Sequence, residues 1–190
     1  NNLGVKVCHG DESAQTATTR RRPRKSYSNY AYFEESSPAS LFFHALIAGR
    51  EEEATNVLIN DFLNGHPLTD IFDTTITKSM RCIGELWLQG ELTIAQEHLA
   101  TRATITAVHK LRNIVPVATS RGKISMCCAM EGDFHELTSH LAQMTFESEG
   151  WEVLNFGANT PLYSFAEEVL HHSPDLVCVS ATILTDIDRL

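Results

Sequence analysis

A change of hydrophobic period near residue 122 constrains this chain more than any other feature. Before it, apolar residues recur at helical spacing. After it, residues 123–130 (KISMCCAM) form a near-continuous apolar run, as expected of a strand buried on both faces. The pattern then alternates. Residues 134–149 read as a helix with Leu137, Leu141, Met144 and Phe146 on its apolar face, and 151–156 as a second strand. Residues 161–171 read as a second helix and 175–180 as a third strand. Strand, helix, strand, helix, strand implies a parallel, doubly wound sheet. The chain stops at Leu190, inside what this pattern makes a third helix, so the expectation is an incomplete sheet from a longer protein.

The preceding region reads as four helical segments joined by short turns. Ser37 is a candidate N-cap with Pro38 at the first helical position, and Leu41, Phe42, Ala45, Leu46 and Ala48 share one face. Gly49 breaks that segment. Residues 51–63 follow, and Gly65 closes them. Pro67 opens a third, longer segment to about Leu88, and Gly90 interrupts. Thr93-Ile94-Ala95-Gln96 has the form of a capping box and starts a fourth helix to about Asn113. Four such helices suit a small antiparallel bundle over 37–115.

Residues 1–36 are polar and carry the basic cluster Arg20-Arg21-Arg22-Pro23-Arg24-Lys25, with Tyr27, Tyr30 and Tyr32 after it. They suit either a flexible tail or the remnant of a nucleic-acid-binding arm. The net charge of −9 argues against a surface built wholly for nucleic acid. No apolar run approaches the roughly 20 residues of a membrane span, and the first residues lack the pattern of a signal peptide. The five cysteines are odd in number and form no CxxC pair, which points to free thiols in a reducing cytoplasm rather than disulfides or a cysteine zinc site.

Four constellations carry candidate chemistry. Asp133-Phe134-His135 follows the first strand, at the sheet end where open parallel sheets bind ligands. A carboxylate two residues from a histidine can hold one ring N–H and leave the other nitrogen free for a metal. The same residues also suit a helix-capping Asp beside a solvated His. Ser180-Ala181-Thr182 ends the third strand, with hydroxyls that either meet a ligand or cap the next helix. Gly157-Ala158-Asn159-Thr160-Pro161 is a glycine turn and also a good helix start. Trp87 closes the third helical segment while Glu97-His98 lies early in the fourth, so the Gly90 break can fold all three toward one pocket.

Together these residues resemble the base-off, His-on cobalamin-binding module of methionine synthases, corrinoid methyl carriers and cobalamin-dependent regulators. Asp133-x-His135 is similar to the start of that family's Asp-x-His-x-x-Gly motif, and Thr138 stands where its glycine would be. The resemblance implies a four-helix bundle cap over 37–115 and a flavodoxin/Rossmann-like cobalamin-binding domain over 122–190. It also implies His135 as the lower axial cobalt ligand, with Asp133, Ser180 and Thr182 around it.

Trp87 with Glu97-His98 is similar to the cap signature of CarH-type photoreceptors, which are transcription regulators that use adenosylcobalamin. That likeness implies Trp87 and Ile94 against the upper adenosyl group, Glu97 hydrogen-bonded to it, and His98 as upper cobalt ligand after light breaks the Co–C bond. It implies a non-enzymatic light sensor that changes conformation or assembly, as a homo-oligomer or with a partner protein. DNA would be bound through an N-terminal MerR-type domain, of which 1–36 would be a remnant. The alternative is the corrinoid-carrier subunit of a methyltransferase, working with methylcobalamin. A third reading, supported by Thr138, keeps the fold without the cofactor.

Overall fold

The computed structural model describes residues 33–116 and 118–182. The basic cluster at 20–25 and the expected third helix after Ser180 lie outside the described residues, apart from Ala181 and Thr182.

Helix α1 (Pro38–Ile47) starts as its sequence predicts, with the Ser40 amide donating to Ser37 Oγ at 3.2 Å. Helix α2 (Glu51–Leu63) packs against α1 and against α5 (Ile94–Arg112). The capping box of α5 is complete. The Gln96 amide donates to Thr93 Oγ1 at 3.2 Å, and the Thr93 amide donates to Gln96 Oε1 at 3.0 Å. Phe42, Phe43, Leu46, Leu58, Ile83, Leu86, Val108 and Leu111 are all buried and form the helical core.

The third expected segment is not one regular helix. A short turn α3 (Leu68–Asp70) runs into a π-helical stretch (Ile71–Ile76) and then α4 (Thr77–Leu88). The wider turn lets Ile71, Phe72, Thr75 and Ile76 all reach the buried side. Polar ties hold it there: Thr75 Oγ1 donates to the buried Asp61 at 3.1 Å, and Ser79 Oγ donates to the Ala39 carbonyl at 3.1 Å.

Three parallel strands follow, β1 (Ile124–Ala129), β2 (Glu152–Asn155) and β3 (Leu176–Ser180), connected by α6 (Leu137–Ser148) and α7 (Leu162–His172). Their order is β2-β1-β3. The central position of β1 explains its apolar run, since Met126, Cys127, Cys128 and Ala129 are fully buried. Met126 and Cys128 pack with Phe165, Leu154 and Val169 on one face. Cys127 is in register with Cys178 on β3, and the described cysteines are free.

Helix α6 begins three residues later than its apolar pattern suggests. The Asp133 side chain accepts from the His135 amide at 2.9 Å, and this local turn holds Phe134 and His135 outside the helix. The helical region meets the sheet region through α5 and α6, within one compact unit. There Arg112 makes a two-pronged ion pair with Glu147, both contacts 2.6 Å, and the His109 and His140 rings meet edge to face at 4.7 Å. No described helix is long and apolar enough to cross a membrane.

Candidate functional site

The loops after β1, β2 and β3 converge at the carboxyl end of the sheet. Because β1 is central, its neighbours leave it on opposite sides, and the chain's winding direction changes between β1 and β3. Ligands of doubly wound sheets sit at such a point. Backbone bonds draw the three loops in. The Met130 amide donates to the Ser180 carbonyl at 3.0 Å, and the Thr160 amide donates to the Ala129 carbonyl at 3.0 Å.

Asp133 is the hub. It is 2% exposed, and its carboxylate accepts the Thr182 amide at 2.5 Å, the His135 amide at 2.9 Å and His135 Nδ1 at 2.7 Å. Burial pushes this carboxyl up. The amides of Thr182 and His135, with the His135 ring, outweigh burial and hold it below the ordinary carboxylate range. An ionised Asp133 on Nδ1 makes that nitrogen the N–H donor. In that tautomer of the imidazole Nε2 carries the lone pair, on a side chain that is 47% exposed. Such a nitrogen, oriented by a buried carboxylate, is a competent ligand for a transition metal.

The remaining residues of the sheet set divide. The Ser180 hydroxyl donates to the Cys128 carbonyl at 3.4 Å, so it is turned to the sheet, and Thr182 contributes its backbone amide. Thr138 is exposed in the first turn of α6.

Trp87, Ile94, Glu97 and His98 form a separate group where α4 ends and α5 begins. Glu97 Oε1 accepts the Thr101 hydroxyl at 2.7 Å, and Glu97 Oε2 lies 3.6 Å from His98 Nε2. Trp87 and Leu88 are exposed at the end of α4, and Ile94 and Leu99 are exposed in the first turns of α5. No hydrogen bond or ion pair joins this group to the Asp133–His135 group among the described residues.

Asn159, which the sequence offered only as part of the glycine turn at 157–161, has a role of its own in the folded chain. Its backbone is left-handed, with φ of 52°, and it bonds twice to the Asp133 turn. Asn is among the few residues that tolerate that conformation.

Comparison with known proteins bears on what this site holds. Residues 40–112 match a family model described as a B12 binding domain. The chain is 23% identical over 121 residues to dimethylamine corrinoid protein 1 of Methanosarcina acetivorans, covering 63% of this chain and 57% of that protein. It is 27% identical over 123 residues to the HTH-type transcriptional repressor CarH of Myxococcus xanthus, covering 65% of this chain and 40% of that protein. Its fold resembles the solved monomethylamine corrinoid protein of Methanosarcina barkeri, with a TM-score of 0.63 at 16% identity over 74% of this chain and 68% of that one.

These findings support a cobalamin-binding module. Cobalamin is the cofactor, and helices followed by a small parallel sheet match the Rossmann-like fold of B12-binding proteins. The chain spans little more than half the length of the dimethylamine corrinoid relative. One expectation is corrected. The chain was expected to be a regulator and not part of an enzyme, on the strength of Trp87 and Glu97-His98. Dimethylamine corrinoid proteins recur among its relatives, and the CarH match spans less than half of that repressor, so a place outside enzyme chemistry is not favoured. A short signature on two helix ends cannot by itself distinguish the partners of a shared cofactor fold.

Proposed function

We propose that this chain is the corrinoid-carrying part of a methyl-transfer system, with His135 as the lower axial ligand of cobalt. One observation carries the reading: His135 Nδ1 is tied to the buried Asp133 carboxylate at 2.7 Å, with Nε2 turned away from that bond, at the switch point of the sheet. The corrinoid names of the relatives and the B12 binding domain match over 40–112 support it.

Bound cobalamin would supply a cobalt centre able to accept and release a methyl group. The protein's part is to bind and orient. Asp133 holds the His135 ring in one tautomer, and Thr182 holds Asp133 from the β3 side. The helical region would act as a four-helix cap (37–115) above the sheet domain (122–190). Its exposed Trp87 and Ile94 would cover the corrin face opposite His135, excluding water, with Glu97 and His98 at the rim. The macromolecular partner in this reading is a methyltransferase subunit.

The test loads the purified protein in the dark with methylcobalamin and, separately, adenosylcobalamin. Methylcobalamin should be retained through gel filtration at least as firmly as adenosylcobalamin, with an assembly state that light does not change. Retention should fall sharply in His135→Ala. Exclusive retention of adenosylcobalamin, with a change of assembly under green light that is lost in His98→Ala, would overturn the carrier reading. Retention of neither cobalamin would overturn cofactor binding itself.

A further inference from the structure

The turn that carries Asp133 and His135 is held from two sides. Thr182 holds it from β3, through the Asp133 carboxylate. On the β2 side only Asn159 reaches it among the described residues, and it does so with two bonds. The Gly132 amide donates to Asn159 Oδ1 at 2.8 Å, and the Asn159 amide donates to the Asp133 carbonyl at 2.8 Å. The first bond fixes the peptide between Glu131 and Gly132, and the second fixes the one between Asp133 and Phe134. Between them they set the direction from which the Asp133 side chain leaves the backbone.

That direction matters because Asp133 in turn sets the His135 ring. Asp133 Oδ1 takes both the His135 amide and Nδ1, so a rotation of the Asp133 backbone carries the ring with it. Asn159 makes both contacts with its backbone in the left-handed region, at φ of 52°. Most side chains are strained there, while Asn tolerates it and also provides the acceptor oxygen. Gly157, two residues earlier with φ of 77°, turns the chain so that Asn159 faces the Asp133 loop.

We infer that Asn159 is a positioning residue for the axial ligand, clamping the Gly132–Asp133 backbone so that His135 Nε2 is presented to cobalt in one orientation. The inference rests on the reading of His135 as that ligand. Asn159 does not touch the metal. It acts through Asp133, as the outer partners of metal-bound histidines do.

The test uses protein uniformly labelled with nitrogen-15 and loaded with cob(II)alamin. Electron paramagnetic resonance then reports whether the axial nitrogen comes from the protein, because labelling alters the splitting only in that case. Wild type should show the altered splitting, and His135→Ala should not. Asn159→Gly keeps the left-handed backbone accessible but removes Oδ1. It should weaken cobalamin binding by about tenfold, the size of one lost hydrogen bond, and should lose the protein-derived splitting in a large share of molecules. Asn159→Asp keeps the acceptor and should restore both. Asn159→Ser, whose shorter side chain falls short of Gly132, should behave like Asn159→Gly and gives a second variant. Urea unfolding of the apo proteins shows that each variant is folded. Absence of the altered splitting in wild type would overturn the His135 assignment. Its presence at full strength in both Asn159→Gly and Asn159→Ser, with unchanged affinity, would overturn the role of Asn159 and leave His135 standing.

Discussion

Replacing Asp133 by Asn changes little in shape and much in hydrogen bonding. The carboxylate accepts three bonds, from the Thr182 amide at 2.5 Å, the His135 amide at 2.9 Å and His135 Nδ1 at 2.7 Å. An amide has one acceptor oxygen. With that oxygen toward His135, the NH2 group faces the Thr182 N–H, and two donors oppose each other in a site only 2% exposed. The reverse orientation loses two bonds, so the first is preferred. A hydrogen bond to a charged acceptor is worth about 1.5–3 kcal/mol, and the two bonds that survive lose their charge assistance. The expected loss of stability is therefore about 3 kcal/mol. With a urea m-value of about 2 kcal/mol/M, the unfolding midpoint of the apo protein should fall by about 1.5 M at neutral pH.

The difference should also depend on pH. Asp133 is held below its ordinary value of 3.8 in the folded protein. Its stabilising contribution is thus present in full above that value. It is lost as pH falls through the lower folded value, because the unfolded chain takes up the proton first. The gap between wild type and Asp133→Asn should narrow below about pH 4. An unchanged midpoint at neutral pH, or a gap that stays constant into acid, would refute the view that this carboxylate anchors the turn.

Two other expectations concern the surroundings of the site. Gly150 links α6 to β2 with φ of 82°, and a Cβ added there would lie 2.1 Å from the Thr119 carbonyl oxygen. Gly150→Ala should therefore cost more than about 2 kcal/mol in urea or thermal unfolding, adding backbone strain to a clash with main chain, and a cost near zero would contradict this close approach. On α6, burial lowers the pKa of His140 most, the charges of His109 on α5 and of Arg112 add to it, and Glu136 and Gln143 oppose it with a smaller effect. Its folded pKa lies below 6.5, so wild type should lose stability relative to His140→Gln as pH drops from about 6.5 toward the folded value. Parallel stability curves for the two proteins between about pH 7 and pH 5 would show that the ring is not held neutral at this interface.

Much of the fold was legible because its signals are local. The near-continuous apolar run over 123–130 marks a doubly buried strand, and β1 is central in the sheet. Thr93 and Gln96 announce the start of α5, and Ser37-Pro38 that of α1, since capping needs only neighbours in sequence. Asp133-x-His135 was legible as a pair for the same reason, because the residues are two apart and their bond is local.

The tertiary structure decided what the pair is for. The order β2-β1-β3 puts the Thr182 amide on Asp133 across 49 positions, and the left-handed turn at Asn159 brings a second support across 27. The Ser180 hydroxyl bonds the Cys128 carbonyl on the neighbouring strand, a contact across 52 positions that depends on β1 and β3 being paired. The π-helical stretch at Ile71–Ile76, packed against α1 and α2, has no counterpart in the helical period of the sequence. The sequence by itself determined the succession of elements and the residues able to ligate. Only the folded chain decided which of those residues meet, because hydrogen bonds between distant loops form once strand order has brought them together.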